Sequence, residues 1–163
     1  MRDHAFRLAA VPALGVSLSL AAACATSPES DPVARGLPAP PPGGGYVEDI
    51  TEATRDNDDY RRVLVTGPQI QLVLMTLRPG EEIGVETHED GDQFIRVEAG
   101  TGRATLDGRA YPLSDGTALV IPAGVAHNVI NTGSSPLQMY IVYSPPEHPH
   151  GTVHRTKAEA GRH

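Results

Sequence analysis

The sequence of 163 residues lacks the features of several protein classes: it has one cysteine, no tryptophan and only 4% aromatic residues. A single cysteine excludes an internal disulfide and a cysteine-rich zinc module. Lysine and arginine number 13 against 20 aspartate and glutamate, for a formal net charge of −7. No basic excess is present to match a phosphate backbone, so we expect no nucleic-acid partner. The length favours one folded domain.

Glycine and proline, by contrast, are abundant, with 17 and 15 residues, and this composition favours turns and short strands over long helices. About nine strand-like runs are separated by turn residues, and Asp107-Gly108 predicts a type I′ hairpin between two of them. The runs are Arg61–Thr66, Gln69–Leu77, Gly84–His88, Gln93–Glu98, Arg103–Leu106, Arg109–Leu113, Ala118–Ile121, Ala126–Asn131 and Gln138–Tyr143. They predict an all-β sandwich or barrel. Ahead of them, Glu48–Asn57 predicts a short helix that starts at Asp49-x-x-Glu52.

Residues 1–23 have the pattern of a secretory signal peptide, with Arg2 and Arg7 ahead of the uncharged apolar run Leu8–Ala23. That run is shorter than the about 20 residues of a membrane span. Cys24 directly follows three small residues, the position of the acylated cysteine in a bacterial lipoprotein signal. We predict cleavage after residue 23 and lipidation of Cys24. Cleavage without lipidation and a misassigned start codon are the alternatives.

Residues 24–45 are rich in proline, glycine and serine and contain almost nothing that could be buried. Such a segment predicts an extended, flexible tether. Anchor and tether together predict a domain held at the cell envelope and facing the periplasm, preferably at the outer membrane. The lipid would be its only contact with the membrane. Without lipidation, the same leader predicts a secreted protein.

Four side chains are candidate metal ligands: Glu86, His88, Gln93 and His127. Residues two apart on a strand face the same side, so Glu86 and His88 are expected to share a face. If His127 lies on a neighbouring strand, two imidazoles, one carboxylate and one amide oxygen can converge inside a barrel. This donor set suits a divalent transition metal, with Mn or Fe preferred and Zn or Ni as alternatives. A metal-free polar barrel interior is the other interpretation.

The segment from residue 116 to residue 131 resembles the second cupin motif, G-x5-P-x-G-x2-H-x3-N. Every defining position is filled, by Gly116, Pro122, Gly124, His127 and Asn131. The resemblance implies a cupin β-barrel (jelly roll) over residues 46–145, with His127 as a metal ligand of the family type.

The segment from Pro79 to Gly100 resembles the first cupin motif, P-G-x5-H-x-H-x3,4-E-x6-G. His88 fills the second histidine position, so the resemblance implies that it is a ligand. Glu86 stands where the first histidine is usual, and Gln93 stands where the glutamate is usual. Both substitutes present oxygen atoms to a metal ion. Residues 60–159 further resemble the small cupins of the phosphomannose-isomerase-like group.

Residues 146–163 form a histidine-rich C-terminal extension, which could donate to a metal or pack over the barrel or a partner subunit. The resemblance is compatible with a metal-dependent enzyme of isomerase or dioxygenase type that acts on a small oxygenated or sugar-like molecule. A non-catalytic, envelope-tethered binding protein for a small ligand or metal and a structural dimer are the alternatives. No catalytic residue is identified. We expect a homodimer, with Arg61–Thr66 as the candidate edge strand.

Overall fold

The computed structural model describes residues 44–161 of the chain. The predicted signal peptide, Cys24 and the tether up to residue 43 lie outside the described residues, so these assignments stay predictions. Within residues 44–161, no helix has the length and apolar character needed to cross a membrane.

The chain forms nine β-strands and two short helices in the described part. The strands are β1 (Arg61–Thr66), β2 (Gln71–Leu77), β3 (Asp92–Ala99), β4 (Thr101–Leu106), β5 (Arg109–Ser114), β6 (Ala118–Ile121), β7 (His127–Asn131), β8 (Leu137–Ser144) and β9 (Val153–His154). Helix α1 (Ile50–Arg55) precedes them, and α2 (Lys157–Ala160) follows them. The Asp49 side chain caps α1 by accepting a hydrogen bond from the backbone N–H of Glu52, as the sequence predicts.

Two antiparallel sheets pack face to face. The larger sheet has the strand order β6-β3-β8-β2-β1-β9, and the smaller sheet has the order β5-β4-β7. Asp107 and Gly108, both with positive φ (44° and 79°), make the tight turn between β4 and β5. The predicted all-β fold of the cupin jelly-roll type, with a short N-terminal helix, is confirmed.

Alternation along the strands places the core between the two sheets. On β8, Met139, Ile141 and Tyr143 point inward and are buried, whereas the residues between them are half-buried on the outer face. At the end of the larger sheet nearest residue 144, the inward-facing side chains of neighbouring strands are polar. There Tyr143 is the register partner of both Gln71 and Gln93, and all three are buried. The barrel therefore has an apolar body and one polar end.

The segment Gly84–His88, predicted as a strand, is not one. Two isolated antiparallel bridges join this part of the chain to β7, Glu82 to Ile130 and Glu86 to His127. The two bridges are four residues apart in the segment from Glu82 to Glu86 but three residues apart on β7, from His127 to Ile130. The first segment therefore contains one extra residue, which interrupts the ladder. Gly84, with φ of +103°, lies between them and permits the bend.

The prediction that β1 is an edge strand is wrong for its first half. Val153 and His154 of β9 pair with Arg62 and Arg61, and the N–H of Val63 donates to the carbonyl of Thr152. The C-terminal extension thus folds back onto the larger sheet and covers this edge. An approach by a second copy along residues 61–63 is blocked, and the expected homodimer stays a prediction.

Candidate metal centre

Glu86 and His127 lie opposite each other in an antiparallel bridge. Each backbone N–H donates to the other's carbonyl oxygen at 2.9 Å. Side chains of such a pair leave the backbone on the same face. Here they meet inside the barrel, with Oε1 of Glu86 3.4 Å from Nε2 of His127.

His88 completes a cluster of three. Its Nε2 also lies 3.4 Å from Oε1 of Glu86, and its ring centroid lies 5.5 Å from that of His127. One donor atom from each residue falls within 4.8 Å of the others, so the cluster could hold a divalent metal ion. The His127 side chain is almost fully buried, at 1% exposure, whereas those of His88 and Glu86 retain 15% and 29%. The cluster is therefore reached from solvent on the side of His88 and Glu86.

The Glu86 carboxylate and the His127 imidazole stabilise opposite charges on each other. Burial alone raises the pKa of Glu86, but the neighbouring imidazoles of His127 and His88 outweigh it, so the net pKa is lowered. Burial alone lowers the pKa of His127, but the Glu86 carboxylate and the carbonyl of Val125 outweigh it, and the net pKa is raised. The centre thus keeps an anionic carboxylate, which is the form that binds a cation.

Both imidazoles are oriented through the nitrogen that faces away from Glu86. Nδ1 of His127 lies 2.8 Å from the carbonyl oxygen of Val125, which can only accept, so Nδ1 carries the proton. Nδ1 of His88 lies 3.3 Å from Oε1 of Glu147. A carboxylate or carbonyl behind a histidine fixes its tautomer and leaves Nε2 as the ligand atom, as in metal centres generally.

Gln93, the fourth predicted ligand, lies on the inner face of β3 and is 2% exposed. Its Oε1 is buried and has no hydrogen-bond partner within residues 44–161. Nε2 of His127 is also buried, and its 3.4 Å contact with Oε1 of Glu86 does not have hydrogen-bond geometry. Buried polar atoms without partners are costly unless something else binds them. The structure thus brings Glu86, His88 and His127 together, and the ligand role of Gln93 stays a prediction.

Glu147 is a site residue that the sequence did not reveal, and Gln71 holds it in place. Oε1 of Gln71 accepts from the N–H groups of His148 (2.9 Å) and Glu147 (3.3 Å), and its Nε2 donates to the carbonyl of His148 at 2.7 Å. Gln71 is fully buried. The only available signal was a glutamine at the start of the apolar run of β2, and nothing in the sequence connects it to residue 147.

Rings extend the site beyond the three candidate ligands. Tyr143 makes edge contacts with His88 at 5.7 Å and with His148 at 5.1 Å between ring centroids. Burial raises the pKa of Tyr143, so this hydroxyl stays protonated. His148 belongs to the predicted histidine-rich extension, which therefore packs over the barrel. Within the described residues, the metal-donor cluster contains none of the extension's histidines.

Comparison with known proteins agrees with this architecture. A family model, the Cupin domain Cupin_2, matches residues 73–143. The chain is 46% identical over 121 residues to the uncharacterized protein YrkC of Bacillus subtilis, covering 71% of this chain and 65% of YrkC. It is 43% identical over 121 residues to an uncharacterized protein of Acanthamoeba polyphaga mimivirus, covering 71% of this chain and 75% of that protein. The chain thus spans about two thirds of the length of YrkC.

A crystal structure of a Bacillus halodurans protein is also similar. It superimposes with a TM-score of 0.69 at 46% sequence identity, covering 71% of this chain and 92% of that one. The family match over residues 73–143 includes Glu86, His88 and His127.

Proposed function

Because this chain belongs to the cupin family, we propose that it is a metal-dependent enzyme in which Glu86, His88 and His127 hold one divalent transition metal ion. Gln93 supplies a fourth ligand. The observation that carries the proposal is the convergence of three donor atoms within 4.8 Å. Two of them are imidazole nitrogens whose opposite ring nitrogens face Val125 and Glu147.

The residues present fit such an ion. Nε2 of His127 and Oε1 of Gln93 are buried without a hydrogen bond among the described residues, and a cation near Glu86 would satisfy both. Two imidazoles with carboxylate and amide oxygens favour Mn or Fe, with Zn and Ni as alternatives. A bound ion of this kind supplies Lewis-acid polarisation of a substrate oxygen.

The chain's own residues shape the space around that ion. Gln71 and Glu147 fix the His88 ring, and the Val125 carbonyl fixes His127. Tyr143 closes the inner side of the site with a protonated hydroxyl. Glu86 and His88 face the solvent-accessible side, where a small oxygenated molecule can enter. These features favour a small substrate that meets the ion from one direction.

Metal content and turnover test the proposal together. We expect the purified full chain to contain about one transition metal ion per molecule by elemental analysis. We expect the variant His88→Ala/His127→Ala to lose the metal and to keep its circular dichroism spectrum. The matched control is His150→Ala, an exposed histidine of the extension that should keep full metal content. A metal content near zero in the wild-type chain after growth in metal-replete medium would contradict the proposal.

A non-catalytic binding protein is distinguished from an enzyme by product formation. The enzyme should convert a small oxo, hydroxy or sugar-like compound, and that conversion should stop after chelation and return when Mn(II) or Fe(II) is added back. Saturable binding without product across such a panel would assign the chain to the binding class.

We further propose that Cys24 is lipidated and holds the domain at the cell envelope. The support is the sequence pattern of residues 1–45, in which an apolar leader, a cysteine and a tether follow one another. Fractionation of cells that express the full chain tests this. The wild type should sediment with membranes and Cys24→Ser should not, and identical fractions would overturn the proposal.

A further inference from the structure

A cavity of about 490 Å³ lies where three parts of the chain meet: the segment between α1 and β1, the end of β2 with the turn after it, and the segment between β9 and α2. Two of its lining residues, Tyr60 and Thr76, are buried and form the floor. Two others, Arg78 and Arg155, are exposed at the rim. A recess of this volume can hold a small molecule.

The cavity and the candidate metal centre lie at opposite ends of one segment, which runs antiparallel to β7. At one end, the N–H of Asn131 donates to the carbonyl of Glu81, whose residue lines the cavity. At the other end, Glu86 is bridged to His127. Glu86 follows Glu81 by five positions, which is on the order of 15 Å along an extended chain. A ligand in this cavity is therefore not one that binds the metal ion.

Three cationic side chains line the cavity, those of Arg78, Arg155 and Lys157. Within residues 44–161, no carboxylate oxygen lies within 4.0 Å of their side-chain nitrogens. Three other arginines of this part of the chain do each pair with an aspartate or a glutamate. The Lys157 ammonium lies beside Gly84, since a Cβ at that glycine would be 3.9 Å from Nζ. The cavity thus collects cations that the fold itself does not neutralise.

Two nearby carboxylates bind the backbone of these residues instead of their charged side chains. Oε2 of Glu81 accepts from the backbone N–H of Arg78 at 2.9 Å, and Oε2 of Glu159 accepts from the backbone N–H of Arg155 at 2.7 Å. Both arginines are thereby held at fixed places on the rim, with their guanidinium groups available to a ligand. With Asp58 and Glu81 as its acidic residues, the lining has three positive and two negative charges. It is positive in a chain whose net charge is −7.

We propose that this cavity binds the phosphate group of a small phosphate monoester. Such a group has three terminal oxygens, one for each of the three cationic side chains, whereas a carboxylate has two. Guanidinium groups bind phosphate through paired N–H donors, and an ammonium binds it as a point charge. The cavity is larger than a phosphate group, so the space next to Tyr60 and Thr76 receives the organic part of the ester. The site does not depend on the proposed metal centre.

Isothermal titration calorimetry of the full chain at low salt tests the proposal, with glycerol 3-phosphate, inorganic phosphate and glycerate as probes. We expect glycerol 3-phosphate to bind with a Kd of about 1 mM or below. Glycerate, which has a carboxylate in place of the phosphate, should bind about tenfold or more weakly. Arg78→Met, Arg155→Met and Lys157→Met should each weaken ester binding about tenfold, since each removes a charged hydrogen bond. Arg109→Met removes the same charge from an exposed position on β5 and should leave the affinity unchanged.

The outcomes separate this cavity from the metal centre, because phosphates also bind metal ions. His88→Ala/His127→Ala should bind glycerol 3-phosphate as tightly as the wild type does, and loss of binding in that variant would assign the phosphate to the metal centre. Equal affinities in the wild type and the three cation variants would overturn the site. Glycerate binding as tightly as the ester, or inorganic phosphate binding without the ester, would overturn the ligand class. No saturable binding of any probe would overturn both. Circular dichroism confirms the fold of each variant, and three independent positions guard against a folding defect in one.

Discussion

Glu86 and His127 are register partners in one backbone bridge and are also neighbours in the candidate metal cluster. Two backbone hydrogen bonds of 2.9 Å fix their separation, and Oε1 and Nε2 face each other at 3.4 Å. The distance between a carboxylate donor and an imidazole donor is therefore set by strand register. A shift of one residue would turn Glu86 away from His127, because successive side chains alternate between faces.

The Glu86 charge should be the largest protein contribution to metal affinity. We predict that Glu86→Gln weakens Mn(II) binding by more than about 100-fold, since loss of an outer-shell partner alone costs about 10–100-fold. Titration with Mn(II) in a chelator-buffered solution measures this. Glu82→Gln is the matched control: Glu82 also bridges β7, but its carboxylate accepts from Asn128 instead. An affinity loss of equal size in both variants would contradict a ligand role for Glu86.

Glu147 should act on the metal through His88. Its carboxylate lies 3.3 Å from Nδ1 of His88, on the side opposite the cluster. We predict that Glu147→Gln lowers Mn(II) affinity by about 10–100-fold while stability changes little, because the carboxylate is exposed. Glu159→Gln is the control in the same extension, since Glu159 accepts from the backbone N–H of Arg155 and does not reach the cluster. Unchanged affinity in Glu147→Gln would remove Glu147 from the site.

Replacing Gly100 and Gly116, two glycines of the cupin motifs, with alanine should lower the unfolding free energy by different amounts, because their surroundings differ. Both Gly100 (φ +87°) and Gly116 (φ +82°) have left-handed backbones that disfavour alanine by about 1–2 kcal/mol. A Cβ on Gly100 would also lie 2.3 Å from the carbonyl oxygen of Pro136, whereas a Cβ on Gly116 would meet nothing within 4 Å. We predict a larger loss of unfolding free energy for Gly100→Ala than for Gly116→Ala in urea titrations. Equal losses would mean that steric contact at Gly100 is relieved by backbone movement.

Strands and turns were predictable because their signals are local. The predicted run Ala118–Ile121 coincides with β6, and the Asp107-Gly108 turn has the two positive φ angles that its residues favour. The convergence of Glu86, His88 and His127 was also expected, although the cupin resemblance carried more of that expectation than spacing did. Glu86 and His127 lie 41 positions apart, and only the topology brings them together.

The extra residue between the two bridges at Glu82 and Glu86 was not predictable from alternation. A bulge depends on the partner strand, and the sequence of one segment does not reveal its partner's register. Glu147 was missed for a related reason. It reaches the site through a tertiary contact, the hydrogen bonds of the Gln71 side chain that hold residues 147 and 148. That contact leaves no periodic pattern in the sequence.

The half-buried ring of His148, whose Nε2 is buried, should make the fold sensitive to acid. Burial and the charges of Arg61, His88 and His154 lower its pKa to about 4, against the opposing effect of the Glu86 carboxylate. The unfolded chain, with an ordinary pKa of about 6.5, takes up the proton first, so this contribution is complete above pH about 6.5 and declines toward pH about 4. We predict that, as the pH is lowered from about 6.5 to about 4, the unfolding free energy of the metal-free wild type falls relative to that of His148→Gln. Urea titrations at several pH values in the presence of EDTA measure the difference, and His150→Gln, an exposed position, serves as the control. A difference between wild type and His148→Gln that does not vary with pH would show that His148 is not held neutral inside the barrel.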